Sequence, residues 1–294
     1  GVFYEEVYYN GVLVADHKEQ SDTNQDIHFP MIRTEALDSE TGDHASNADG
    51  SITVTDTISY WNLPKHEYVA TGTLYNADTG EAYTDANGNP ITASTTFTPK
   101  EPDGTVEVVF DFDGTGKDPS TFTVFENVTL NGVSVAEHSE LADENQQIRI
   151  PAVGTTAIDS DTELAMSYAD GTVTIEDTVT TTNILEGRNY KIKGIVMDQA
   201  TGQPMLDASG NQITSEISFT AENRNETHQV DFSFDGSQMA GKTVVVFEEL
   251  FQVLEDGTEV SVANHQDLSD VGQTGIRRRH YFPGKRFGWN ENDR

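Results

Sequence analysis

Residues 51–59 read Ser-Ile-Thr-Val-Thr-Asp-Thr-Ile-Ser, and residues 171–180 read Gly-Thr-Val-Thr-Ile-Glu-Asp-Thr-Val-Thr. Apolar and polar side chains alternate with period two in both, as in a strand that turns one face to a core. Working outward, Thr243–Phe247 is another short β-branched run. Between such runs lie turn clusters, Asp-Ala-Asn-Gly-Asn at 85–89 and Asp-Ala-Ser-Gly-Asn at 207–211, whose Asn and Gly accept positive φ. No stretch sustains a helical period. Short strands divided by frequent turns predict an all-β protein, a sandwich or a barrel.

The chain also repeats itself. Pro30-x-Ile32-x-Thr34-x-Ala36 matches Pro151-x-Val153-x-Thr155-x-Ala157, and Asp56-Thr57 matches Asp177-Thr178. Thr79-Gly80 matches Thr201-Gly202, and Phe112-Asp113-Gly114 matches Phe234-Asp235-Gly236. One period has the length of an immunoglobulin-like domain, so the expected fold is a tandem of immunoglobulin-like β-sandwich domains.

The end of the period occurs three times as His-x-(Asp/Glu)-x-x-Asp-x-x-Gln. The copies are His17, Glu19, Asp22, Gln25; His138, Glu140, Asp143, Gln146; and His265, Asp267, Asp270, Gln273. A glutamate precedes each: Glu5, Glu126 and Glu248. Residues 1–27 therefore read as the closing hairpin of a repeat whose front lies outside this sequence. It is expected to stay a hairpin, packed on the first full repeat or on a neighbouring molecule. Residues 28–148 and 149–275 read as full repeats, and 276–294 as a basic, aromatic tail. That tail suits either contact with an anionic wall polymer or with the acidic repeats, or a linker remnant, and the plainer linker reading is preferred.

Bulk composition narrows the function. Fifty acidic residues against 17 basic ones give a net charge of −33. Such a chain lacks the basic footprint that nucleic acid requires. No 18-residue apolar run is present, so no membrane helix is expected. There are no cysteines, so disulfides cannot staple the domains. No cofactor or metal site is expected.

These motifs resemble the VaFE-type, ester-bond-forming immunoglobulin-like domains of Gram-positive surface adhesins. The residues that carry the resemblance are Val-Phe-Glu at 124–126 and 246–248, Asn-His-Gln-Asp-Leu-Ser-Asp-Val-Gly-Gln-Thr at 264–274, the Pro-x-(Ile/Val)-x-Thr-x-Ala entry strands and the Asp-Thr strands. The resemblance implies autocatalytic esters from Thr34 to Gln146 and from Thr155 to Gln273. It implies Asp56, Glu126 and His138 as helpers in the first repeat, and Asp177, Glu248 and His265 in the second. Glu5, His17 and Gln25 form an orphan half-site. The expected roles are histidine as base, glutamate holding the histidine, and a protonated aspartate as oxyanion donor. The resemblance further implies a stalk on a bacterial cell surface, wall-anchored in the full-length protein. Its neighbours would be further repeats, and a host ligand would be met through other domains. It would turn over once, as a cross-link, and not as an enzyme.

Three rival functions make different demands on the sequence. A ligand- or calcium-binding module would use the acidic loop Asp38–Asp49. A hydrolase would use Thr, His and Glu on an outside substrate. A Lys–Asn isopeptide needs a lysine recurring at matching places, and none does.

Overall fold

The computed structural model describes residues 1–48, 50–169 and 171–270. They divide into two compact units, Gly1–Pro151 with Asn183–Leu185, and the remainder from Ala152.

Unit 1 begins with an isolated hairpin of β1 (Glu5–Tyr9) and β2 (Val12–His17). Asn10 and Gly11 turn it with φ of 46° and 79°, and Asn131 and Gly132 repeat the device at 51° and 80° in the later hairpin. A three-stranded sheet follows, made of β3 (Met31–Asp38), β4 (Ser51–Trp61) and, after β5 (Tyr68–Asn76) and β6 (Thr92–Phe97) of the other sheet, β7 (Gly104–Asp113), in the order β3-β4-β7. The opposing sheet is completed by β8 (Ser120–Leu130), β9 (Val133–His138) and β10 (Gln147–Ile150). Its order is β10-β8-β5-β6, with β9 also on β8. All pairings in both sheets are antiparallel. The core between the sheets is lined by Ile52, Val54, Ile58, Phe110, Phe122, Val124 and Ile148, among others.

Unit 2 repeats the plan with β11 (Ala152–Asp159), β12 (Thr172–Thr182), β13 (Asn189–Asp198), β14 (Gln203–Pro204), β15 (Thr214–Thr220), β16 (Glu226–Asp235), β17 (Val244–Val253) and β18 (Glu259–His265). Its sheets are β11-β12-β16 and β14-β13-β17-β18, with β15 on β13. The fold is thus the expected all-β tandem. The alternation that predicts the strands also sets their faces. In β4 the core row is Ile52, Val54, Asp56, Ile58 and Tyr60, and in β12 it is Val173, Ile175, Asp177, Val179 and Thr181. One aspartate in each row is polar where its neighbours are apolar. Neither has any exposed surface.

The two turn clusters are held by their first residue. Asp85 accepts from the amides of Asn87 and Asn89 at 2.8 and 2.9 Å, and Asp207 accepts from Ser209 and Asn211 at 2.8 Å each.

Candidate functional site

In unit 1 the register of β3 on β4 sets Ala36 opposite Asp56 and Thr34 opposite Ile58. With a side-chain period of two, Thr34 and Asp56 are diagonal neighbours on the inner face. From the other sheet β8 brings Glu126, also inward and 2% exposed. The Thr34 hydroxyl donates to Glu126 Oε2 at 3.1 Å. Gln146 sits in the 3-10 turn Glu144–Gln146, fully buried, and that turn lies against β3 and β8. Thr34, Asp56, Glu126 and Gln146 therefore meet in the core.

The two carboxyls share one electrostatic problem. Burial pushes both Glu126 and Asp56 well above the carboxylate range, and their mutual repulsion drives Glu126 up further. The Thr34 hydroxyl acts on Glu126 in the opposite, lowering sense, as the Glu126 and Gln146 side chains do on Asp56. With both carboxyls ionised, both Asp56 oxygens and Glu126 Oε1 lack a donor. A proton on either carboxyl would give the cluster a donor.

His138 lies opposite Glu126 across the β8–β9 ladder. The carboxylate in contact with its ring is nonetheless Asp143, at 3.1 Å from Nε2. The other oxygen of Asp143 caps the turn carrying Gln146, accepting from the Asn145 amide at 3.0 Å. One aspartate thereby fixes both the imidazole and the glutamine turn. The expected role of Glu126 as holder of the histidine is not what this geometry shows. Glu126 faces Thr34 and Asp56. Asp143 was visible in the sequence as a recurring member of the closing motif, but its spacing alone gave no partner.

Unit 2 repeats most of these relations. Ala157 stands opposite Asp177, and the Thr155 hydroxyl donates to Asp177 Oδ1. Glu248 is 1% exposed and opposite His265. His265 Nε2 meets Asp270 Oδ2 at 2.8 Å, and its Nδ1 meets the Val153 carbonyl oxygen, two residues before Thr155, at 3.1 Å. Gln273 and the tail 276–294 lie outside the described residues.

The first hairpin carries the same half in miniature. Glu5 is opposite His17, Asp22 is 3.1 Å from His17 Nε2, and Asp22 accepts from the Asn24 amide at 2.9 Å. Here the Gln25 amide nitrogen donates to His17 Nδ1 at 2.8 Å. With Asp22 taking the Nε2 proton, Nδ1 is the ring atom that faces the glutamine. Among the described residues no strand but its own partner pairs with this hairpin, and Phe3, Val7 and Tyr9 are more than half exposed, which leaves its packing on the first repeat or on a neighbouring molecule an expectation.

The acidic loop after β3 is a self-bonded turn. Asp38, 3% exposed, accepts from the Thr41 amide and the Ser46 hydroxyl, both at 2.8 Å. Asp49 lies outside the described residues. Among the described residues, no group of three or more His, Asp or Glu side chains is placed to hold a metal ion.

Against known families, the T-Q ester bond containing domain matches the chain twice, over residues 30–150 and 151–275. No curated protein matches. Among solved structures, a bacterial adhesin from Mobiluncus mulieris containing intramolecular disulfide, isopeptide and ester bond cross-links is 14% identical, over 74% of this chain and 80% of that one, with a TM-score of 0.34. A Bacteroides uniformis β-glucuronidase 2 variant is 10% identical over 80% of this chain and 32% of that one, with a TM-score of 0.29. Likenesses this distant carry no argument about function. The family model spans most of the sequence, and the buried Thr, Asp, Glu and Gln of unit 1 stand where the entry and closing motifs put them. The chain belongs to the T-Q ester bond containing domain family, as two consecutive VaFE-type repeats.

Proposed function

We propose that the two repeats are self-cross-linked segments of an extracellular adhesin stalk, each joined by an ester from its opening threonine to its closing glutamine. The observation that carries this is the dry meeting of Thr34, Glu126, Asp56 and Gln146 in unit 1, with the hydroxyl already donating to a carboxyl. An alcohol does not attack a primary amide in water at a useful rate. Holding the two in one packed geometry supplies an effective molarity of about 10⁵–10⁸ M.

In the reactive arrangement Asp56 is the protonated carboxyl and Glu126, although the harder of the two to ionise, is the ionised one and takes the proton of the Thr34 hydroxyl. Thr34 Oγ1 attacks Gln146 Cδ. The oxyanion that forms is met by protonated Asp56, which acts as the donor. The C–N bond then breaks and the amide nitrogen leaves as ammonia, taking up the proton that Glu126 removed from Thr34, passed directly or relayed through the imidazole. His138 serves the amide end, as His17 Nδ1 already does for Gln25. In sum, one hydroxyl and one amide give one ester and one ammonia. Burial of Gln146 keeps water from reversing the product.

The threonine and the glutamine are consumed as each bond forms, so the site has no turnover. A stalk role, an outer-surface location, wall attachment through other segments and a host ligand bound elsewhere belong to the same proposal. The test is peptide mapping of the denatured, proteolysed chain. A branched peptide that joins the Thr34 and Gln146 segments and is one ammonia lighter than their sum supports the reading. Two separate linear peptides would refute it.

A further inference from the structure

Two glycines stand directly opposite the site glutamates. On the inner face of the five-stranded sheet, Gly72 pairs with Glu126 in unit 1 and Gly194 pairs with Glu248 in unit 2. Neither has room for a side chain. A Cβ on Gly72 would lie 2.4 Å from the Cζ of Phe110, and a Cβ on Gly194 would lie 2.4 Å from the Cζ of Phe232. Real carbon atoms do not approach so closely, so in each unit a ring tip fills the place of the missing side chain. A cross-strand neighbour's Cβ lies about 4.5–5.5 Å away. That places the ring beside the stem of the glutamate.

Each ring comes from the opposite sheet. Phe110 is on β7, one inward position past Val108, which is opposite Asp56; Phe232 is on β16, one inward position past Val230, which is opposite Asp177. Each ring thus spans the core from the aspartate's sheet to the glutamate's. Both are 1% exposed.

We propose that Gly72 with Phe110, and Gly194 with Phe232, are positioning pairs for cross-linking. The glycine is the vacancy that admits the ring, and the ring is the wall that keeps water off the carboxyl pair. A strand glycine carries a cost in conformational freedom and packing. Its presence opposite the site glutamate in both repeats, with the same ring in its place, gives that cost a purpose. Burial is also the largest cause of the raised Glu126 and Asp56 values, as a dry wall requires.

The test separates dryness from mere packing. In a Thr34→Ala background the site cannot react, so the Glu126 carboxyl can be titrated by carboxyl-carbon NMR in the full chain. Adding Gly72→Ala, or separately Phe110→Leu, is expected to bring that titration down toward the ordinary carboxylate range. Phe110→Leu keeps an apolar side chain and serves if Gly72→Ala does not fold. In the chain with Thr34 intact, the same substitutions should leave a fraction of molecules one ammonia heavier than the parent. A Glu126 titration unmoved in the folded variants would overturn the proposal. The mass measurement rests on the cross-linking reading, whereas the titration does not. A parent that has lost no ammonia refutes the first reading, and a cross-linked parent with an unmoved titration refutes only this one.

Discussion

Asp56 is one aspartate in a row of isoleucine, valine and tyrosine, and that position sets its chemistry. Its carboxyl is pushed up from 3.8 to about 7, chiefly by burial. A folded-state value above the unfolded one means that the folded chain binds the extra proton between the two. Stability from this group is fully present below the unfolded value and is lost as pH rises toward the folded one. The unlinked Thr34→Ala chain should therefore melt at falling temperature in unit 1 between pH 3.8 and about 7. Because net charge of −33 adds its own repulsion, the measurement is the difference from Thr34→Ala with Asp56→Asn, whose melting should fall less steeply over that window. Equal slopes would mean that Asp56 is not the titrating group. At the same scale, Asp143 holds both the His138 ring and the Gln146 turn. Asp143→Asn should slow the cross-link in unit 1 alone, seen as a heavier mass after brief expression and a normal mass after long incubation. A cross-link formed at the parent's rate would remove Asp143 from the account.

At the scale of elements, the first hairpin repeats the register of the two later hairpins that carry a glutamate opposite a histidine. Glu5 meets His17 in the same register as Glu126 meets His138 and Glu248 meets His265. Its inward positions Phe3 and Val7 are 61% and 57% exposed, where the corresponding Val124 and Val128 are 0% exposed. Mixed with a separate polypeptide spanning residues 28–119, which supplies an opening threonine and aspartate, the full chain should give a covalent adduct on a denaturing gel. The adduct should vanish in Gln25→Ala. Non-covalent association without an adduct would deny the hairpin its reactive half-site. The elements themselves were legible in the sequence, because a half-buried strand writes its alternation and Asn-Gly writes its turn. The Thr, Asp, Glu and Gln of the first repeat were legible as well, through their recurrence. What was not legible is which side chain faces which. Whether Glu126 or Asp143 meets the histidine depends on a bulged hairpin register and a turn cap. The approach of Phe110 to Gly72 joins residues on different sheets, and no local pattern records it.

Over the whole molecule, the proposed bonds close each repeat from near its first strand to its last turn. The loop from Thr34 to Gln146 holds more than 100 residues. A cross-link over such a loop constrains the unfolded chain by about 5 kcal/mol. Thr155→Ala removes the second bond and little packing, since Thr155 is only half-buried. That variant should lose several kcal/mol of stability in unit 2 and become cleavable by protease under conditions that spare the parent. Equal resistance would mean that the bond is absent or idle. The chain has no cysteine, so a cross-link of this kind would be indifferent to reductant. The central claim is tested most directly by the intact mass of the folded, purified chain. With two matched repeats, the account predicts a mass two ammonias below that of the sequence, and one below it in Thr34→Ala or Thr155→Ala. A chain that weighs what its sequence weighs would contradict it.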